Sequence, residues 1–149
     1  MVDLLKPYLD LRDAEVETDF GIDDPVVYGS RAAIESIFTN LIVNSLRAFA
    51  QDYSSGRLES AEVCFRKIII RTKKLGDRVI ITFSDSGPGI REISIDDIWI
   101  VGRSTTPKGS GLGLCIVRDT VEDMGGAIRA EAHGELGGAE FTIELPLRN

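Results

Sequence analysis

Three short runs of residues combine side-chain types and spacings that can do chemistry. In Asn40-Leu-Ile-Val-Asn44 two carboxamides stand four positions apart, so on a helix they point the same way, and Arg47 continues their polar stripe. A carboxamide oxygen is a hard, neutral ligand suited to Mg2+, which completes its shell with waters and phosphate oxygens. Asp85-Ser-Gly-Pro-Gly89 puts a carboxylate at the end of an apolar run and then two residues without side chains. Such a carboxylate can accept a hydrogen from an exocyclic amine, and the glycines let a flat base approach the backbone. Gly109-Ser-Gly-Leu-Gly113, preceded by Lys108, opens an apolar-periodic stretch. Consecutive N–H groups at a positive helix terminus, with a lysine beside them, would make a phosphate cradle.

Each run also has an ordinary explanation. Helical asparagines are commonly solvated, and Asp, Ser, Gly and Pro are the residues that turns prefer. The glycine run is not a P-loop, because its lysine precedes the glycines instead of following them before Ser or Thr. Nor is it a dinucleotide fingerprint: the spacing is G-x-G-x-G and no strand runs directly into it.

The elements that must position these residues follow from periodicity. Residues 26–29 (VVYG) suggest a short strand, after which Ser30 offers a cap to a helix over about 31–50 with Ile34, Phe38, Leu41 and Phe49 at helical spacing. Residues 51–65 carry turn formers and charges and are expected to form a mobile surface excursion. KIIIRT (67–72) and RVIITFS (78–84) are rich in β-branched residues and predict an antiparallel hairpin whose second strand ends at Asp85. Residues 91–101 are ambiguous, and GRSTTPKGSG (102–111) has the composition of a loop that would act as a lid, ordering on nucleotide binding. A second helix is expected from Leu112 to Met124, stopped by Gly125-Gly126, and AIRAEA (127–132) with AEFTIEL (139–145) predict a closing hairpin before Pro146.

Composition restricts the partners. With 149 residues, 43% of them hydrophobic, one domain spanning 1–149 is expected, since the chain is too short for two comfortable cores. A formal net charge of -7 argues against a sequence-independent grip on nucleic acid or on an anionic membrane. It does not argue against a nucleotide, whose phosphates can be held by backbone N–H groups, a metal and one or two local cations. Cys64 and Cys115 have no metal-ligand spacing, and Cys115 reads as an ordinary buried thiol. No signal peptide or membrane-length apolar run is present in the sequence, so a cytosolic location is expected, including that of the cytosolic part of a longer receptor.

Taken in order, these runs resemble the boxes of the GHKL ATP-binding superfamily and, within it, the catalytic ATP-binding domains of bacterial sensor histidine kinases. NLIVNS (40–45) is similar to the N box, DSGPGI (85–90) to the G1 box, GSGLGL (109–114) to the G2 box and GGAEFTIELP (137–146) to the closing strand. The resemblance spans about residues 3–146. It implies an α/β (α+β) two-layer sandwich of the Bergerat type, in which a mixed, mostly antiparallel sheet carries helices on one face. It further implies ATP and Mg2+ as cofactors, with Asn40, Asn44 and Lys108 as the catalytic set and Asn44 as metal ligand. Asp85 would receive the adenine amino group, while Gly87, Gly89 and Ile90 shape the base pocket. Gly109, Gly111 and Gly113 would wrap the phosphates, with Thr105, Thr106, Ser110 and Leu112 beside them. Lys108 and Arg47 would neutralise phosphate charge, and Thr142 would join the pocket wall. The implied partners are a histidine-bearing dimerisation domain, absent from this sequence, and a response regulator.

Two departures from the family pattern bear on mechanism. Superfamily members that hydrolyse ATP carry a glutamate one helical turn before the metal-binding asparagine, and Asn40 stands there in this sequence. A carboxamide cannot act as a general base, which favours phosphoryl transfer to a protein side chain over hydrolysis. The aromatic landmark before the lid is represented by Trp99, for which core packing is expected. His133, the single histidine, falls in a predicted turn and is a poor phosphate acceptor.

Overall fold

The structure is a computed structural model that describes residues 14–22, 25–54, 66–91, 93–100 and 112–148, with residues 14 and 50–54 as backbone alone. The elements are β1 (Ala14–Phe20), α1 (Arg31–Ser54), β2 (Arg66–Leu75), β3 (Arg78–Asp85), a 3-10 turn (Asp97–Trp99), α2 (Gly113–Asp123), β4 (Ala127–Glu131) and β5 (Glu140–Pro146). The five strands form one sheet in the order β1-β2-β3-β5-β4. β1 runs parallel to β2 and every other neighbour pair is antiparallel, so the sheet is mixed and mostly antiparallel.

Alternation along the strands decides what faces the helices. Ile68 and Ile70 of β2, Val79, Ile81 and Phe83 of β3, and Phe141, Ile143 and Leu145 of β5 point to one face. There they meet Ile37, Leu41, Ile42, Leu46 and Phe49 of α1 and Val117 and Val121 of α2. α1 begins where expected, because the Ser30 hydroxyl accepts the Ala33 N–H at 3.0 Å. α2 ends at the glycine pair: Gly125 takes a positive φ of 79°, and its N–H and that of Gly126 bond back to Glu122 and Val121. The β2–β3 turn is the two-residue link Gly76-Asp77, and Gly76 supplies the φ of 63° that such a turn needs.

Three expectations change, and one strand is added. The run 26–29 forms a single bridge, Val27 to Leu147, instead of a strand. It lies between Pro25, which has no N–H to donate, and Gly29 at φ 139°. Conversely β1 is a strand that hydrophobic patterning does not announce, since its outward positions are Glu15, Glu17 and Asp19; it is held by parallel pairing to β2, where Lys67 meets Glu17 and Arg71 meets Asp19. α1 continues to Ser54, four residues further than its apolar periodicity, into the stretch expected to be an excursion; 55–65, with Cys64, lie outside the described residues. Cys115 is half-buried instead of buried, because it points away from the stripe of α2 that carries Val117 and Val121, with its Sγ 3.9 Å from Asp119.

The ambiguous stretch after the DSGPG loop contains the 3-10 turn, which buries Ile98. Trp99 packs edge-on against Phe141 at 6.2 Å between ring centroids, and the Arg118 guanidinium lies 5.8 Å over its indole. An aromatic pair of this kind contributes about 0.5–1.5 kcal/mol beyond its burial, which is the core-packing role expected of Trp99.

Candidate functional site

β3 delivers Asp85 to the end of the sheet beneath α1. Asp85 is 2% exposed, and three donors hold its carboxylate. Oδ1 accepts from the Gly87 N–H at 3.0 Å and the Ala139 N–H at 3.2 Å, while the Ser45 hydroxyl donates to Oδ2 at 2.7 Å. Burial pushes the Asp85 carboxyl above its ordinary value, and the bonds from Ser45, Gly87 and Ala139 oppose that rise by favouring the charged form. A carboxylate has about four acceptor positions, two per oxygen. Both on Oδ1 are taken, and one on Oδ2 is left without a partner among the described residues. That position suits a ligand N–H.

The loop after Asp85 is shaped by what surrounds it. Ser86 exchanges two bonds with Lys67 of β2, its N–H to the Lys67 carbonyl at 2.9 Å and its hydroxyl from the Lys67 N–H at 2.7 Å. A side chain at Gly87 would meet Asp85 Oδ1 at 3.1 Å and the Phe49 ring of α1 at 3.4 Å. Gly89 has a φ of 79°, and a Cβ there would lie 2.4 Å from the Ala132 carbonyl oxygen. Glycine is therefore required at Gly89 on two counts. Ile90 packs against the core, and its N–H bonds to Ala132 at 3.1 Å.

At the other end, α1 presents its two asparagines half-buried and Arg47 exposed, in keeping with the helical stripe. The Asn40 amide donates to the Ser36 carbonyl at 2.8 Å, which turns its Oδ1 toward the start of α2, 3.3 Å from where a Cβ on Gly113 would stand. Asn44 has no side-chain hydrogen bond among the described residues, so its hard oxygen is uncommitted and fits an oxygen-seeking divalent cation bound mainly through phosphates and water. No group of three or more His, Cys, Asp or Glu among the described residues could hold a metal alone. α2 begins at Gly113 with no side-chain cap, and Leu112 before it is exposed.

Asn40, Asn44, Asp85, Gly87, Gly89, Ile90, Leu112 and Gly113 thus lie along the junction of α1, the DSGPG loop and the start of α2. Thr142 does not. It alternates with Phe141 and Ile143, so its hydroxyl points to the sheet face opposite the helices, where its cross-strand neighbours are Thr82 and Arg129. Sequence position near the closing strand misplaces it, since one residue along a strand reverses the face. Thr105, Thr106, Lys108, Gly109, Ser110 and Gly111 lie outside the described residues. Conversely Ser45, Phe49 and Ala139 are contacts of the site that residue type does not flag. Ser45 directly follows Asn44, but its role needs the 40-residue separation from Asp85 to be closed by the fold.

A buried carboxylate with an open acceptor position, a glycine-shaped loop and a carboxamide uncommitted among the described residues meet at one junction of a two-layer α/β fold, an arrangement suited to a nucleotide. The comparisons agree. Residues 29–149 match the family of histidine kinase-, DNA gyrase B- and HSP90-like ATPases, and the chain belongs to that family. Similar curated proteins include the sensor protein ChvG of Agrobacterium fabrum, 36% identical over 93% of this chain and 22% of that protein. The signal transduction histidine-protein kinase BaeS of Escherichia coli is 32% identical over 89% of this chain and 27% of that protein. The chain therefore spans about a quarter or less of the curated relatives it matches. Among solved structures, the catalytic domain of the histidine kinase ThkA superposes with a TM-score of 0.74 at 26% identity, covering 97% of this chain and 86% of that one. The site is that of an ATP-binding domain, and no helix among the described residues is long and apolar enough to cross a membrane.

Proposed function

We propose that this chain is the catalytic ATP-binding unit of a sensor histidine kinase, acting as one domain over 1–149. It holds Mg·ATP and presents the γ-phosphoryl group to a histidine on a separate dimerising helical domain, from which a response regulator receives it. Asp85 carries the reading, because a buried carboxylate with one open acceptor position is built for a donor such as the adenine 6-amino group and repels the 6-carbonyl of guanine. A bound Mg2+ would neutralise phosphate charge, with Asn44 as its protein ligand. Arg47, Lys108 and the N–H groups around Gly109, Gly111 and Gly113 would hold the phosphates, with Thr105, Thr106 and Ser110 near them.

Asn40 favours transfer over hydrolysis. Its amide is tied to Ser36, and it has no basic atom with which to activate water. Catalysis would then rest on positioning the nucleotide for in-line attack by a histidine nitrogen from outside the chain. Such a unit works where ATP is available, which supports a cytosolic location.

The test is incubation of the chain with γ-labelled ATP, Mg2+ and a separately produced histidine-bearing helical domain. Acid-labile, alkali-stable label on that domain, lost with Asp85→Asn, is expected. Acid-stable label would indicate a hydroxyl acceptor instead, and tight ATP binding with no label on any acceptor would leave a nucleotide-binding regulatory module.

A further inference from the structure

The DSGPG loop that floors the base site does not stand alone. The β4–β5 turn lies along it and is bonded to it at both ends. At one end Asp85 N–H donates to Ala139 at 3.0 Å and the Gly138 N–H donates to Asp85 at 3.1 Å; at the other, Ile90 N–H donates to Ala132 at 3.1 Å. Between these ends a side chain of the turn, that of His133, lies against the loop. A Cβ on Gly89 would come 2.6 Å from His133 Nδ1 and 2.7 Å from its Cε1, so the Gly89 α-carbon rests against the imidazole. The same ring bonds the Gly137 carbonyl through Nδ1 at 2.9 Å, and because a carbonyl can only accept, Nδ1 carries the hydrogen.

The turn is itself braced from the opposite face of the sheet. Glu135 pairs with Arg71 of β2, and Glu140 Oε1 accepts from the Ser84 hydroxyl at 2.7 Å and the Glu135 N–H at 3.4 Å. The turn is fixed to the sheet, and His133 links that fixed body to the glycine segment of the loop.

We propose that His133 is a positioning residue for base recognition: its imidazole closes the β4–β5 turn onto Gly137 and supports Gly89, so that Asp85 and Gly87 meet the nucleotide base in one preset arrangement. Without the ring, Gly87 to Gly89 gain freedom that ligand binding must remove, and affinity falls by the cost of that ordering. Nothing in this role requires His133 to touch ATP or to accept phosphate. It rests on the ATP reading of the site only for its consequence, not for the brace itself.

Two readouts on the full 149-residue chain keep those apart. The first is amide hydrogen exchange across 86–90 without nucleotide, where His133→Ala is expected to exchange about fivefold faster, the scale of one lost hydrogen bond. The second is calorimetric ATP affinity well below the melting temperature, expected to weaken about five- to tenfold. His133→Asn, which can still donate to Gly137, should recover most of both, and His133→Leu, which fills space without donating, should not. Unchanged exchange in His133→Ala overturns the brace. Faster exchange with unchanged ATP affinity, or equal losses in the Asn and Leu variants, overturns the positioning role and leaves a structural one. If the unmodified chain binds no ATP, the ATP reading fails, while the exchange arm still judges the brace.

Discussion

The two ends of the site are finished to different degrees. At the base end, Asp85 is buried and already holds three hydrogen bonds, and the loop after it is tied to β2, α1 and the β4–β5 turn. At the phosphate end, Asn44 is half-buried with its carboxamide uncommitted among the described residues, Arg47 is exposed, and α2 starts without a side-chain cap. Under the proposed reading, the base end is preorganised by the sheet, whereas Asn44 at the phosphate end has no side-chain hydrogen bond among the described residues. Preorganised polar groups cost little to use at binding and much to alter.

The largest effect should come from Asp85→Asn. The amide can keep the Gly87 and Ala139 N–H bonds and donate to Ser45, but it then turns an N–H toward the base amine. ATP affinity should fall about a hundredfold or more, as expected when a charged hydrogen bond is replaced by opposed donors. Stability should move the other way with pH. Burial raises the folded-state pKa above its ordinary 3.8, so Asp85 favours the fold most while protonated and loses that contribution as pH rises through the raised value. Asn has no such loss. Thermal melts from pH 4 to 8 should show the variant gaining on the wild type as pH rises; a variant that loses ground to the wild type as pH rises would contradict the burial cost.

Asn44→Ala tests the open end. Calorimetry should show Mg2+-dependent ATP affinity falling about tenfold, while affinity measured with a chelator stays near wild type, because the carboxamide enters through the cation. Equal losses with and without Mg2+ would mean that Asn44 serves the base end after all. Ser45→Ala should be milder than Asp85→Asn and differ in kind. It removes one of three donors to a buried carboxylate, and chemical denaturation should register a loss of about 1–3 kcal/mol. Thr142→Val should change least. The hydroxyl lies on the far face of β5, so ATP affinity should be unchanged and stability should stay within about 0.5 kcal/mol. A clear affinity loss would return Thr142 to the pocket wall.

The two ends also differ in how legible they were. Asn40 and Asn44 could be placed from spacing alone, since a helical repeat sets side-chain direction locally, and Asp85 from its position at the end of a β-branched run. The partners that tune Asp85 could not. Ser45 is 40 residues away in sequence and Ala139 is 54, and neither residue type announces the contact. Thr142 departs from the expected pocket wall because proximity to a motif says nothing about which face of a strand a side chain occupies. β1 is not legible in the sequence for a related reason: its outward positions are acidic, and it becomes a strand through pairing with β2 and the cations on that strand.

By itself the sequence determined the local elements and the chemical types at the site: one helix with its serine cap, a second with its glycine stop, two hairpins, a carboxylate before two glycines and a pair of carboxamides one turn apart. Tertiary structure decided the parallel edge strand, the face of Thr142, the donors on Asp85 and the brace of His133 against Gly89. The division has a physical cause. Helix period, capping and turn chemistry act over a few residues and leave a readable pattern, whereas the state of a buried carboxylate depends on which distant N–H and O–H groups the packed sheet and helix bring within 3.2 Å of it.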